Sequence, residues 1–239
     1  MNHGTALLVG GSSQIGMAVL TELLGPPPRH VVLAGRPSEE LWENAERLRD
    51  LGYHVTTAQY DAALQDDEIE GLLEHLVGDH QLGLVVVAVG SMTGKSFTEG
   101  LVVNGLAVAV LVEILVRRLS AAGSGQLVLL SSAAAARPRG SIAAYSLGKQ
   151  LADSTAVLLA PQAAAAGVRV LVVRPGFVAT RMTEGLQKPP LSSTVDQVAH
   201  RVARALPGRR LVVWVPRPMG LMVWLLRHLP SRILPTDLR

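Results

Sequence analysis

Short, uninterrupted apolar runs alternate along the chain with longer stretches of helical periodicity. Ala6-Leu7-Leu8-Val9 opens the series, followed by a glycine-containing turn and a helical pattern to Leu24. Val31–Ala34 precedes a charged helix over about residues 38–51, and Val55–Tyr60 and Leu84–Val89 read as the third and fourth strands. A long apolar helix covers 99–119 and ends in Arg117-Arg118. Gln126–Leu130 is the fifth strand, a helix near 142–166 precedes the sixth at Val168–Val173, and Leu211–Val215 is the seventh. A strand with one wet face alternates polar and apolar positions. These runs are apolar throughout, so they predict strands covered on both faces. With helices between them, such strands predict a parallel sheet joined by right-handed crossovers. The expected fold is α/β: a doubly wound parallel sheet of about seven strands in three α/β/α layers. It forms a single domain over 1–215 with an extension over 216–239, and no internal repeat or linker divides it.

Composition narrows the classes. The chain has 239 residues, 49% hydrophobic and 17% charged, so a large core forms without metal or disulfide staples. Its hydrophobicity excludes intrinsic disorder, and the absence of cysteine excludes a disulfide scaffold, thiolate zinc sites and a cysteine nucleophile. Met1-Asn2-His3-Gly4-Thr5 has no basic n-region, and the apolar run after it breaks at Gly10-Gly11, so no signal peptide is read. Uninterrupted apolar runs stay under the ~18 residues of a spanning helix. A soluble, cytoplasmic protein is expected.

Charge adds a gradient that the net +3 hides. Residues 200–239 hold eight arginines against Asp237 alone, a balance of +7, while the first 199 residues carry −4. Within this basic tail, Met219–Leu226 is apolar nearly all round, with Trp224 inside and arginines flanking. As a helix it would span ~12 Å, too short to cross a bilayer. Two readings stay open: a helix packed on the core or on a sister subunit, or a segment lying in a membrane interface with arginines at anionic headgroups. The arginines are not interleaved with stacking aromatics, so no nucleic-acid partner is expected. The seven histidines give no metal-binding pair, the nearest being His75 and His80, so the metal expectation is none.

The candidate chemistry begins at Val9-Gly10-Gly11-Ser12-Ser13-Gln14-Ile15-Gly16, where the first strand runs straight into a helix. Glycines there permit a sharp turn and leave amides at a helix N-terminus, which stabilises a pyrophosphate, and the two serines add hydroxyl donors. This is the first turn of a Rossmann-type unit. A rival phosphate loop, Gly94-Lys95-Ser96, has the wrong spacing: Val89 occupies the position where a nucleoside-triphosphate loop requires its first glycine. Lys95 is therefore read as a solvated loop residue.

Ser131-Ser132 stands at the exit of the fifth strand, and Tyr145 and Lys149 lie four apart on the following helix, sharing one face. An ammonium beside a phenol favours phenolate and makes a workable general acid for a carbonyl oxygen. The pair alone is also what an ordinary helix surface presents.

Taken with the glycine turn, these residues resemble the short-chain dehydrogenase/reductase family from residue 5 to about 215. Gly10, Gln14, Ile15 and Gly16 match its cofactor loop, and Asp61 matches the acid that binds the adenine amino group. Ala88-Val89-Gly90 stands where the family usually has Asn-Ala-Gly, and Asn104 matches the asparagine that supports a proton-relay water. Ser132, Tyr145 and Lys149 match the catalytic serine, tyrosine and lysine, and Pro175-Gly176-Phe177-Val178-Ala179-Thr180 matches the segment beside the nicotinamide. The resemblance implies that Tyr145 donates a proton while Lys149 lowers its pKa and holds the nicotinamide ribose. Ser132 orients the carbonyl. Gln14 in place of a central glycine and the missing asparagine before Val89-Gly90 are departures from the pattern, the second removing a tether in its turn.

At the end of the second strand Gly35 stands where an acid would favour NAD, and Arg36 follows it. An arginine accommodates a 2′-phosphate, so NADP(H) is expected, with NAD(H) the alternative. Arg174-Pro175-Gly176, Thr180-Arg181-Met182, Pro190-Leu191 and the Met222…Pro230 ending resemble an actinobacterial branch. That branch reduces the 2-keto group of a decaprenylphosphoryl-D-erythro-pentofuranosid-2-ulose. The expected activity is reduction of a keto-sugar, polyprenyl-linked in that branch. A soluble ketone is the rival substrate, and a non-catalytic nucleotide-binding scaffold is a second rival. The resemblance further implies a homodimer or homotetramer through the 99–119 helix and the helix of Tyr145.

Overall fold

Alternate residues of the first strand, β1 (Thr5–Val9), enter two different cores: Leu7 and Val9 one, Ala6 and Leu8 the other. The same division runs through β2 (His30–Gly35), β4 (Leu82–Val87), β5 (Gly125–Leu130) and β6 (Val168–Pro175). This is why their sequences carry no polar alternation. With β3 (His54–Gln59) and β7 (Val212–Val215) they form one seven-stranded sheet in the order β3-β2-β1-β4-β5-β6-β7, every pair parallel. The computed structural model describes residues 4–61, 66–77, 81–92 and 96–228. At the edge, β3 alternates in exposure, since fewer elements cover it there.

One face of the sheet packs on α5 (Ala107–Ala121) and α7 (Ala143–Ala165), through Val108, Leu111 and Leu115 and through Ala152, Ala156 and Ala160. The other face packs on α1 (Gln14–Leu23), α2 (Glu39–Asp50) and α8 (Val195–Ala205), through Leu20, Leu48 and Val202. Two helices escape the sequence pattern read above: α3 (Asp66–Val77) and α8. The start of α8 was nonetheless legible, because Thr194 and Gln197 form a capping box in which each side chain meets the other's backbone amide.

The predicted 99–119 helix is a run of three pieces: α4 (Phe97–Leu101), a π-helical turn (Val102–Leu106) and α5. By length and composition Phe97–Ala121 would suffice to cross a bilayer, but its inward residues are core of the sheet. The extension forms α9 (Pro218–His228), which packs Met219 and Val223 inward against β7 and the short α6 (Ala133–Ala136) and leaves Leu221, Trp224 and Leu225 exposed. Lys95, His80 and the tail from Leu229, including Arg232 and Asp237, lie outside the described residues, as do the side chains of His75 and Arg227.

Candidate active site

Gly10 leaves β1 at φ +96°, in the left-handed region that glycine adopts without strain. A Cβ there would lie 2.7 Å from the Ala88 carbonyl oxygen, and one on Gly16 would lie 2.6 Å from the Ala88 Cβ. The amides of Gly10 and Gly11 both donate to the Ala34 carbonyl, at 2.8 and 3.0 Å, so the turn is drawn against β2 and β4 together. Ser13 caps α1, its Oγ accepting from the Gly16 amide at 3.1 Å. Above this turn a groove of about 260 Å³ crosses the carboxyl ends of β1 to β4, where the strand order reverses. Ser12, Ser13, Gln14 and Ile15 line its floor; Gly35 and Arg36, Tyr60 and Asp61, and Ala88, Val89 and Gly90 line its walls. Buried in one wall, the Tyr60 hydroxyl has no hydrogen-bond partner among the described residues, and burial, with Asp61 nearby, pushes it up to about 12. A glycine cradle at a helix N-terminus and an orphaned hydroxyl along the groove fit a dinucleotide.

None of Ser132, Tyr145, Lys149 and Asn104 lines that groove itself; Lys149 and Asn104 lie directly behind its Gly90 wall, and Tyr145 is one helical turn before Lys149. A Cβ on Gly90 would lie 3.1 Å from the Lys149 Nζ and 3.3 Å from the Asn104 Oδ1. Lys149 is buried and donates to the carbonyls of Val89 and Leu130, at 2.8 and 3.0 Å, tying together the exits of β4 and β5. Burial depresses its ammonium to about 8, against an opposing pull from Asp153. Ser132 caps α6, accepting from the Ala134 amide, and its hydroxyl is close enough to Tyr145 to pull the phenol downward. The expected effect of Lys149 on the phenol is not what the structure shows. Tyr145 lies above its ordinary value because burial dominates, with the Ser132 hydrogen bond and the Arg139 charge pulling the other way.

Asn104 sits in the π-helical turn with its whole amide engaged. Its Oδ1 accepts from the Ser91 amide (2.8 Å), and its Nδ2 donates to the carbonyls of Ser91 and Gly100 (both 2.9 Å). With the Lys149 bond to Val89, this holds the turn after β4 that lacks the family's asparagine. Gln14 is engaged too: its Oε1 accepts from the Arg181 amide at 2.8 Å, while the Arg181 guanidinium donates to the Ser12 carbonyl and pairs with Glu40. After β6, Thr180, Arg181 and Met182 line the groove. Val178 is buried, and Gly176 lies under Met219 of α9, so these two, with Pro175, shape the path of the chain more than the groove wall.

The short chain dehydrogenase family matches residues 4–190. The chain belongs to it. This short-chain dehydrogenase is 35% identical over 235 residues to an uncharacterized oxidoreductase of Mycobacterium tuberculosis, covering 94% of this chain and 93% of the relative. It is 33% identical over 234 residues to an uncharacterized oxidoreductase of Streptomyces coelicolor, covering 94% and 92%. Among solved structures it resembles an actinorhodin polyketide ketoreductase with NADPH (TM-score 0.75, 21% identity, 90% and 97% covered). A Burkholderia cenocepacia short chain dehydrogenase in complex with NADP is similar at TM-score 0.76 and 19% identity, 98% and 99% covered. The protein is thus an NAD(P)-dependent oxidoreductase with a Rossmann-like, single-domain fold.

Reading the sequence missed Tyr60, Arg181, Asp153 and Arg174 as neighbours of the site. Only Asp153 left a signal, four residues beyond Lys149 and so on the same helical face.

Proposed function

We propose that this dehydrogenase is an NADP(H)-dependent ketoreductase whose substrate is a keto-sugar carried on a polyprenyl phosphate. The observation that carries the reductase direction is the Tyr145 phenol. A phenol is protonated through the neutral range at its ordinary value and burial moves this one further up, which suits a proton donor to a carbonyl oxygen. Ser132, close to Tyr145, would orient that oxygen, and Lys149 holds together the exits of β4 and β5. The dinucleotide, when bound, supplies hydride. The cradle of Gly10, Ser12, Ser13 and Ile15 would hold its pyrophosphate, and Asp61 its adenine end. Arg36, exposed at the rim, favours a 2′-phosphate and hence NADP(H) over NAD(H). A non-catalytic scaffold has no use for a complete Ser132, Tyr145 and Lys149 set.

The lipid-linked substrate rests on α9. Met219 packs on Gly176 beside the site, while Leu221, Trp224 and Leu225 face outward. Arg217 precedes the helix and is one of three arginines, with Arg210 and Arg204, whose charges act on Arg201, so a basic cluster adjoins an apolar face. That pairing suits peripheral contact with an anionic membrane at the inner face. Outward leucines on α7, Leu147, Leu151 and Leu158, suit a homodimer or homotetramer. The test is NADPH oxidation with a polyprenylphosphoryl 2-keto-pentose beside a panel of soluble ketones, with flotation on anionic liposomes of the full chain and of one ending at Pro216. Turnover of soluble ketones alone, with flotation unaffected by truncation, overturns the lipid-linked reading.

A further inference from the structure

The helix that carries Tyr145 and Lys149 carries a third polar residue on the same face one turn further on. Asp153 is buried, its side chain 5% exposed, among the alanines that pack α7 on the sheet. A carboxylate in such a place is stable only with strong partners. It has three donors from two strands. Its Oδ2 accepts from the Ser131 Oγ at 2.5 Å and from the Arg174 Nε at 3.0 Å, and its Oδ1 accepts from the Arg174 Nη2 at 2.6 Å. The guanidinium fork is therefore bidentate, and its outer face lies 5.2 Å from the Trp214 ring on β7. Both partners adjoin the site in sequence: Ser131 precedes Ser132, and Arg174 precedes Pro175-Gly176. The two strand exits are also joined directly, by the Ser131 amide donating to the Val173 carbonyl at 2.8 Å.

We propose that Asp153 is a positioning residue for the reduction: its carboxylate maintains the charge on Lys149 and locks the Ser132 strand end to the segment beside the nicotinamide site. The position of Lys149 explains the need. Its Nζ sits among backbone carbonyls in the core, where desolvation favours the neutral amine. Among the described residues, the charge that acts on it is Asp153, one turn further along α7, which is itself paired with Arg174 from β6; Arg139 acts on Tyr145, one turn before Lys149. The turn after β4, the end of β5 and the π-helical turn present backbone and the Asn104 amide. Asp153 is the anion of this group, so its loss moves Lys149 in one direction, toward neutrality at lower pH.

The inference rests on the reductase reading, and its test does not depend on turnover. The chain has three lysines, Lys95, Lys149 and Lys188, so ¹³Cε-lysine NMR resolves Lys149, identified by the signal lost in Lys149→Met. In the wild type, burial of Lys149 places its expected midpoint at about 8. In Asp153→Asn the midpoint moves down by about one unit or more, and the alkaline limb of kcat/KM moves with it. Asp153→Leu with Arg174→Met removes both charges and keeps an apolar fill, so it serves as the folded comparison should Asp153→Asn lose its fold. A smaller downward shift remains in this pair, because losing the Arg174 cation acts in the opposite direction to losing the nearer carboxylate. Ser131→Ala retains the charge and leaves the midpoint in place. An unmoved Lys149 midpoint in the folded pair, or an equal shift in Ser131→Ala, overturns the proposal. A wild type that reduces no ketone overturns the reductase reading and leaves the lysine titration to decide this one.

Discussion

Replacing Gly148 with alanine tests how the catalytic residues are brought together. The π-helical turn and α7 cross backbone against backbone: a Cβ on Gly148 would lie 2.8 Å from the Asn104 Cβ and 3.0 Å from the Gly105 nitrogen. A Cβ on Gly105 would in turn lie 2.8 Å from the Gly148 Cα. Carbon atoms rest at about 3.5–4.0 Å, so one methyl forces the two elements apart by about 1 Å. The backbone cannot swing aside as a flexible side chain would. Overpacking of this kind costs about 1–3 kcal/mol. At roughly 2–4 °C per kcal/mol for a domain of this size, the melting temperature falls by about 2–12 °C. Catalysis suffers more, because the displaced elements carry Asn104 on one side and Tyr145 and Lys149 on the other. A shift near 1 Å is expected to lower kcat/KM by ~10²-fold. The assay is NADPH oxidation with differential scanning fluorimetry on the same samples, and Gly140→Ala is the control, since nothing lies within 4 Å of a Cβ there. Full activity and an unchanged melting temperature in Gly148→Ala would show that the crossing does not set the geometry.

Other substitutions probe separate parts of the groove. Tyr145→Phe is expected to lower turnover by ~10²–10⁴-fold while NADPH still binds by fluorescence titration, and an active variant refutes the proton-donor role. Arg36→Ala is expected to cost about 1.5–3 kcal/mol of NADPH binding and leave NADH unaffected, so an unchanged ratio of the two KM values rejects the phosphate contact. Gln14→Gly removes the bond from the Arg181 amide and is expected to lower stability by about 0.5–1.5 kcal/mol in urea unfolding; unchanged stability would mean that bond contributes nothing. Leu158→Glu on the outward face of α7 is expected to give a monomer by light scattering, and an intact oligomer moves the interface elsewhere.

The sheet was legible because its inner strands carry the mark of double burial; the edge strand β3, with Thr56, Thr57 and Gln59, departs from it, yet all seven predicted runs became strands with ends shifted by a residue or two. The glycine turn and the Ser132, Tyr145 and Lys149 set were legible for a different reason, since their spacing is fixed by local geometry, a strand-to-helix turn and one helical face. What the sequence hid was everything made by distant segments meeting. Arg174 gives no sign of its fork to Asp153, nor Arg181 of its hold on Gln14 and Ser12, because partners 21 to 169 residues away leave no periodicity. The phenol's direction was misread for a related cause. Proximity to Lys149 along the helix suggested a lowered value, but desolvation of the phenol outweighs the pulls that act on it.

The place of β1 in the middle of the sheet also bears on how the chain is made. All its residues are buried, and its two neighbours, β2 and β4, arrive later in synthesis. At about 5–20 residues per second, Thr5 waits several seconds before its partner Leu82 leaves the ribosome. Until then the nascent chain holds this wholly buried strand with one edge open, and no hairpin offers early relief in a sheet with only parallel pairs. Expression yield should therefore depend on what shelters that segment during those seconds as well as on the stability of the finished fold.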